Sequence, residues 1–104
     1  MSLYDTNLVN INKFSRPGIK LQSVKGIIEH WTANPGASDT AHQTFFDGAD
    51  GGGGRYAGAH IFVDKDSATL IIPLDEVAYH ANESKCRASK LGTNANLTTI
   101  GIEM

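Results

Sequence analysis

The 104 residues suit one compact domain with a single hydrophobic core. A formal net charge of −2 and a pI near 6.0 leave no basic stripe, which argues against nucleic acid as a partner. With 40% hydrophobic and 19% charged residues the chain is ordinary for a soluble protein, and no apolar run approaches the roughly 20 residues of a membrane span.

In chain order, residues 1–23 read as an irregular lead-in. Its start, MSLYDTNLVN, lacks the charged and apolar regions of a cleavable signal peptide. Arg16-Pro17-Gly18 marks a turn. Residues 24–31 (VKGIIEHW) are short, β-branched and largely apolar, which predicts a buried strand with His30 at its C-terminal end. Asn34-Pro35-Gly36 turns the chain, and Ser38 is a good N-cap for a short helix reaching Phe46, with Ala41 and Phe45 on its inner face. Gly51 to Gly54 form a tract of consecutive glycines, which predicts a mobile surface loop.

Residues 56–63 (YAGAHIFV) predict a second strand, with Ala59, Ile61 and Val63 on one side and Gly58, His60 and Phe62 on the other. Asp64-Lys65-Asp66-Ser67 turns it into a third strand at 69–72, making a hairpin. Pro73 ends that strand, and residues 74–81 (LDEVAYHA) read as a loop with a brief helical turn at Asp75. A polar, turn-rich stretch at 84–97 leads to a last strand at 98–104 (TTIGIEM), whose Ile100 and Ile102 are expected to point into the core. Cys86 stands alone, so the chain can form no intrachain disulfide. The sum is an α/β fold with a mixed central sheet flanked by helices.

The chain's four histidines, His30, His42, His60 and His80, are not spaced as HExxH or another local metal motif. Placement is more telling. His30 and Glu103 both fall at strand ends, where side chains of α/β proteins emerge into a cleft. A neutral imidazole can bind Zn²⁺, which lowers the pKa of bound water from about 15.7 to about 7, and a nearby carboxylate can take the proton as that water attacks a carbonyl. The competing reading of Glu103 is a solvent-facing charge closing a strand.

Four segments, IIEHWTANPG (27–36), GAHIFVDKD (58–66), IPLDEVAYHANE (72–83) and NLTTIGIEM (96–104), together resemble the zinc-dependent N-acetylmuramoyl-L-alanine amidases in family order. That family includes phage endolysins and bacterial autolysins and shares its fold with peptidoglycan recognition proteins. The resemblance implies a peptidoglycan hydrolase that cleaves between N-acetylmuramic acid and L-alanine with Zn²⁺ as cofactor. His30 matches the first zinc ligand, in an HxT pattern completed by Thr32, and Glu103 matches the glutamate that acts on the water. Thr32, His60, Tyr79, His80 and Asn96 fall along the implied substrate groove. Within that set His60 either lines the cleft floor or packs beneath it, Tyr79 offers a flat surface to sugar or peptide, and Asn96 suits a hydrogen bond to the loop. His42 has no matching role and reads as a surface helix residue.

In the family a second His and an Asp or Cys complete the metal site beyond the strand glutamate, whereas this sequence stops one residue after Glu103. The resemblance therefore implies the N-terminal part of one amidase domain spanning 1–104, with an incomplete ligand set and an uncovered sheet through which copies could assemble as a homo-oligomer. The alternative function is a non-catalytic peptidoglycan-binding module or an inactive prophage remnant. Action on the cell wall after lysis-type release is the expected setting.

Overall fold

The computed structural model describes residues 4–30, 43, 46–47, 57–64, 67–81 and 94–104. Among them lie five strands: β1 (Asp5–Thr6), β2 (Gly26–His30), β3 (Ile61–Val63), β4 (Ala68–Leu70) and β5 (Thr99–Glu103). They form one sheet in the order β1-β4-β3-β5-β2. The β3–β4 pair is antiparallel and every other pairing is parallel, so the sheet is mixed, as the sequence implies.

The hairpin forms as expected, because Asp64 and Ser67 close its turn. The Asp64 N–H donates to the Ser67 carbonyl at 2.9 Å, and the Asp64 side chain accepts from the Ser67 N–H at 2.8 Å. The 74–81 segment is also a loop with one tight turn, in which the Glu76 N–H donates to the Pro73 carbonyl at 3.0 Å. The expected strands at 56–63 and 69–72 are shorter, at Ile61–Val63 and Ala68–Leu70. Of the predicted 38–46 helix, Gln43 and Phe46 are described and are helical, whereas its Ala41 and Phe45, the glycine tract and Cys86 lie outside the described residues. Phe46 is described, and its ring stacks on Phe62 at 5.4 Å.

Register decides which side chains share a face. His30 pairs with Glu103, which pairs in turn with Phe62, and Ile28 pairs with Gly101. Alternation then puts Ile28, His30, Thr99, Gly101, Glu103 and Phe62 on one side of the sheet. This is the covered side: Thr99 and Phe62 are buried, and Phe62 belongs to the core cluster with Val9, Ala59, Ile71, Ile72 and Ala78. Full burial of side chains such as Phe62, Ile71 and Ile72 contributes about 1.5–3 kcal/mol each.

The other side carries Ile27, Ile100, Ile102, Ile61 and Val63, and it is more open. Ile27 is 63% exposed, and Ile100 and Ile102 are only half-buried. Two expectations are corrected here. Ile100 and Ile102 do not point into the core, and β2, which edges the described sheet, is half-exposed instead of buried. The physical reason is that β5 is apolar on one face and small or polar on the other. The small residues of the second face are the ones covered, by the chain that crosses over them.

The lead-in is more ordered than expected. β1 pairs with β4, and the Asn7 and Val9 N–H groups donate to the carbonyls of Leu70 and Ile71, each at 2.9 Å. Asn12 closes an Asx turn by accepting from the N–H groups of Phe14 and Ser15. At Gly18 the chain takes a φ of 77°, which glycine adopts without steric cost. Arg16 then ties the lead-in to the site loop. Its guanidinium grips both oxygens of Glu76, with each bond 3.0 Å, and donates to the Val9 carbonyl at 2.8 Å.

Candidate active site

Three histidine rings line up from the middle of β5, at Gly101, to the C-terminal end of β2. The His60 and His80 ring centres lie 5.8 Å apart and those of His80 and His30 lie 5.5 Å apart, both edge-on. Glu103 is the register partner of His30 on the adjacent strand, so the two residues share a face with backbones about 4.8 Å apart.

His60 is the deepest of the three and is fully buried. Its Nδ1 accepts from the Gly101 N–H at 3.0 Å, so the proton sits on Nε2, which donates to the Glu76 carbonyl at 2.6 Å. The Gly101 carbonyl in turn accepts from the His60 N–H at 2.9 Å. Burial pushes the His60 pKa below its usual value by desolvation. Both ring nitrogens are committed to hydrogen bonds within the fold.

His80 lies directly on Gly101. A methyl at that glycine would come within 2.4 Å of the His80 Cγ, so the absence of a side chain in mid-strand is what lets the ring approach. Asn96 fixes the loop that carries His80: its Oδ1 accepts from the N–H groups of His80 and Ala81 at 3.0 and 2.9 Å, and its Nδ2 donates to the Ala81 carbonyl at 3.0 Å. Asn96 is itself buried, in a 3-10 turn (Ala95–Leu97) that Asn94 caps. It therefore makes the hydrogen bonds to the loop that its type suggests. Desolvation, followed by the neighbouring histidines, brings the His80 pKa down to about 4, so at neutral pH His80 is an uncharged ring.

His30 is half-buried at the end of β2, with its Nε2 3.3 Å from the His80 Nδ1. Tyr79 is half-buried, and its carbonyl accepts from the Gly58 N–H at 3.0 Å. Thr32 and His42 lie outside the described residues. The structure thus sets His60, His80 and His30 in a row, pairs Glu103 with His30 across adjacent strands, and ties Asn96 to the His80 loop. Sequence reasoning missed Thr99 and Gly101, although a glycine inside an apolar strand is itself a signal of close approach.

Residues 20–104 match the family described as N-acetylmuramoyl-L-alanine amidase. The chain belongs to that family. Among curated relatives of this amidase-family chain, a probable N-acetylmuramoyl-L-alanine amidase of Bacillus licheniformis is 50% identical over 99 residues, covering 94% of the chain and 28% of the relative. The N-acetylmuramoyl-L-alanine amidase BlyA of Bacillus subtilis (strain 168) is 47% identical over 113 residues, covering all of the chain and 30% of the relative. The chain therefore spans less than a third of the length of these relatives.

Among solved structures, a mutant endolysin from Bacillus subtilis superposes with a TM-score of 0.75 at 28% identity, covering 99% of the chain and 60% of that structure. PlyL superposes with a TM-score of 0.73 at 20% identity over 57% of its length, a likeness of fold. The α/β, mixed-sheet architecture is that of endolysin catalytic domains.

Zinc suits the donor chemistry of the site, because His30 presents a half-buried imidazole at a strand end beside a carboxylate. Among the described residues no group of three or more His, Cys, Asp or Glu could hold a metal. A full catalytic zinc site takes three protein donors.

Proposed function

We propose that this chain carries part of the catalytic centre of a peptidoglycan hydrolase that uses zinc to cleave the amide between N-acetylmuramic acid and L-alanine. The observation that supports it most is the pairing of His30 with Glu103 on adjacent parallel strands of an amidase-family sheet. The relatives named as amidases point to the same reaction.

Zinc, when bound, supplies the Lewis acidity that makes water a nucleophile at neutral pH. His30 would hold the metal through one ring nitrogen. Glu103 takes the proton from the attacking water onto its carboxylate and returns it to the amine of L-alanine as the C–N bond breaks. A half-buried glutamate at the end of a strand suits that shuttle, because it keeps a path to solvent while its register partner is His30. Tyr79 offers its ring to the sugar or stem peptide, and Thr32, two residues beyond His30 in the sequence, supplies a hydroxyl for the substrate. The substrate partner is the cell wall, reached where lysis exposes it.

Metal content tests the ligand assignment. In the whole encoded protein, His30→Ala should lose stoichiometric zinc and cell-wall clearing activity together. A variant that keeps its zinc after dialysis against a mild chelator would remove His30 from the metal site.

A further inference from the structure

The hydrogen bonds around His80 fix its protons. The Thr99 hydroxyl donates its single hydrogen to the Ala95 carbonyl at 2.6 Å, so toward His80 it can only accept. The His80 Nε2 lies 3.1 Å from that hydroxyl and 3.3 Å from the Thr99 carbonyl, which is also an acceptor. Nε2 must therefore carry the hydrogen. In the neutral ring the lone pair is then on Nδ1, and that atom faces the His30 Nε2 at 3.3 Å. The facing His30 nitrogen is the donor, so His30 holds its own hydrogen on Nε2 and has its lone pair on Nδ1.

We infer that His80 is a positioning residue that locks His30 in the Nε2–H form and so presents the His30 Nδ1 as the metal-binding atom. The inference rests on the reading of His30 as a zinc ligand. Ligating histidines commonly donate their second ring nitrogen to a fixed acceptor, which sets both tautomer and ring orientation. Here the acceptor is another imidazole, and several contacts hold it in place. Its ring lies on Gly101, its backbone N–H and that of Ala81 are held by Asn96, and its Nε2 is held at Thr99. His60, packed edge-on behind it, closes the remaining side. The chain Ala95–Thr99–His80–His30 is thus a continuous series of oriented hydrogen bonds that starts in a buried 3-10 turn and ends at the proposed metal ligand.

Two measurements on the whole encoded protein test this. Long-range ¹H–¹⁵N NMR of the metal-free wild type reads the His30 tautomer directly and needs no variant to fold. Nε2–H is expected, and a predominant Nδ1–H form would overturn the inference. Zinc affinity from competition with a chelator should then fall about 10- to 100-fold in His80→Ala, with partial recovery in His80→Gln, whose amide oxygen can accept from His30. If His30→Ala abolishes zinc binding while His80→Ala leaves both tautomer and affinity unchanged, the positioning role fails and the ligand assignment stands. If His30→Ala itself leaves zinc affinity unchanged, the ligand assignment fails and takes the positioning role with it.

Discussion

Gly101 is the residue on which the site is most sensitive to a small change. An alanine methyl there would collide with the His80 Cγ, Nδ1 and Cδ2 at 2.4–2.8 Å, and neither the strand nor the ring has room to retreat, since both are hydrogen-bonded. Overpacking of this kind costs about 1–3 kcal/mol. Gly101→Ala should lower the denaturant midpoint accordingly and displace the His80 ring, seen as shifted His80 and His30 NMR signals. His60 sets a pH dependence. Its folded pKa is lowered by burial, so as pH falls below about 6.5 the unfolded chain takes up a proton that the folded chain refuses. The stability it contributes is full above that pH and is lost on acidification, with a slope of up to about 1.4 kcal/mol per pH unit. Unfolding free energies at pH 7, 6 and 5 should fall more steeply for the wild type than for His60→Gln, and parallel curves would show that His60 titrates alike in the folded and unfolded chains.

At the scale of elements, the lead-in is the part that composition concealed. Residues 4–23 have no sustained period, yet they pair along β4 and strap the 74–81 loop through Arg16 and Glu76, whose side chains are 15% and 9% exposed. Breaking such a pair from one side leaves a buried carboxylate without its partner, which costs about 3–5 kcal/mol. Arg16→Ala should destabilise the protein on that scale. Lys20→Ala, which removes an exposed pair with Asp75, should change stability by less than about 1 kcal/mol. A calorimetric comparison of the two variants separates the strap from ordinary surface charge.

The same elements show what was legible in the sequence. β2, β3, β4 and β5 all lie where alternating or β-branched runs put them, and the Asp64–Ser67 turn follows from its residue types. The covered face of β5 was not legible, because Ile100 and Ile102 outweigh Thr99 and Gly101 on any hydropathy reading. What covers that face is a loop histidine 19 residues from Thr99 in sequence. His30 and Glu103 could be singled out as strand-end residues. Their pairing depends on register, and the protons of His60 and His80 depend on carbonyls and a hydroxyl that sequence does not bring together.

At the scale of the whole molecule, the sheet places a histidine and a glutamate side by side at adjacent strand ends, and a buried line of hydrogen-bonded groups stands behind the histidine. The mixed sheet serves this arrangement because parallel β2 and β5 end at the same edge, as strands flanking a catalytic crevice do. The central claim is that Glu103 moves the proton in hydrolysis of the muramoyl–L-alanine amide. The most direct test digests purified peptidoglycan with the whole encoded protein and measures, by mass spectrometry and amino-terminal labelling, the release of stem peptides beginning with free L-alanine. The wild type should release them from intact glycan strands, and Glu103→Ala should keep its zinc while the rate drops about 10²- to 10⁴-fold. Undiminished release by the zinc-loaded Glu103→Ala protein would contradict the account.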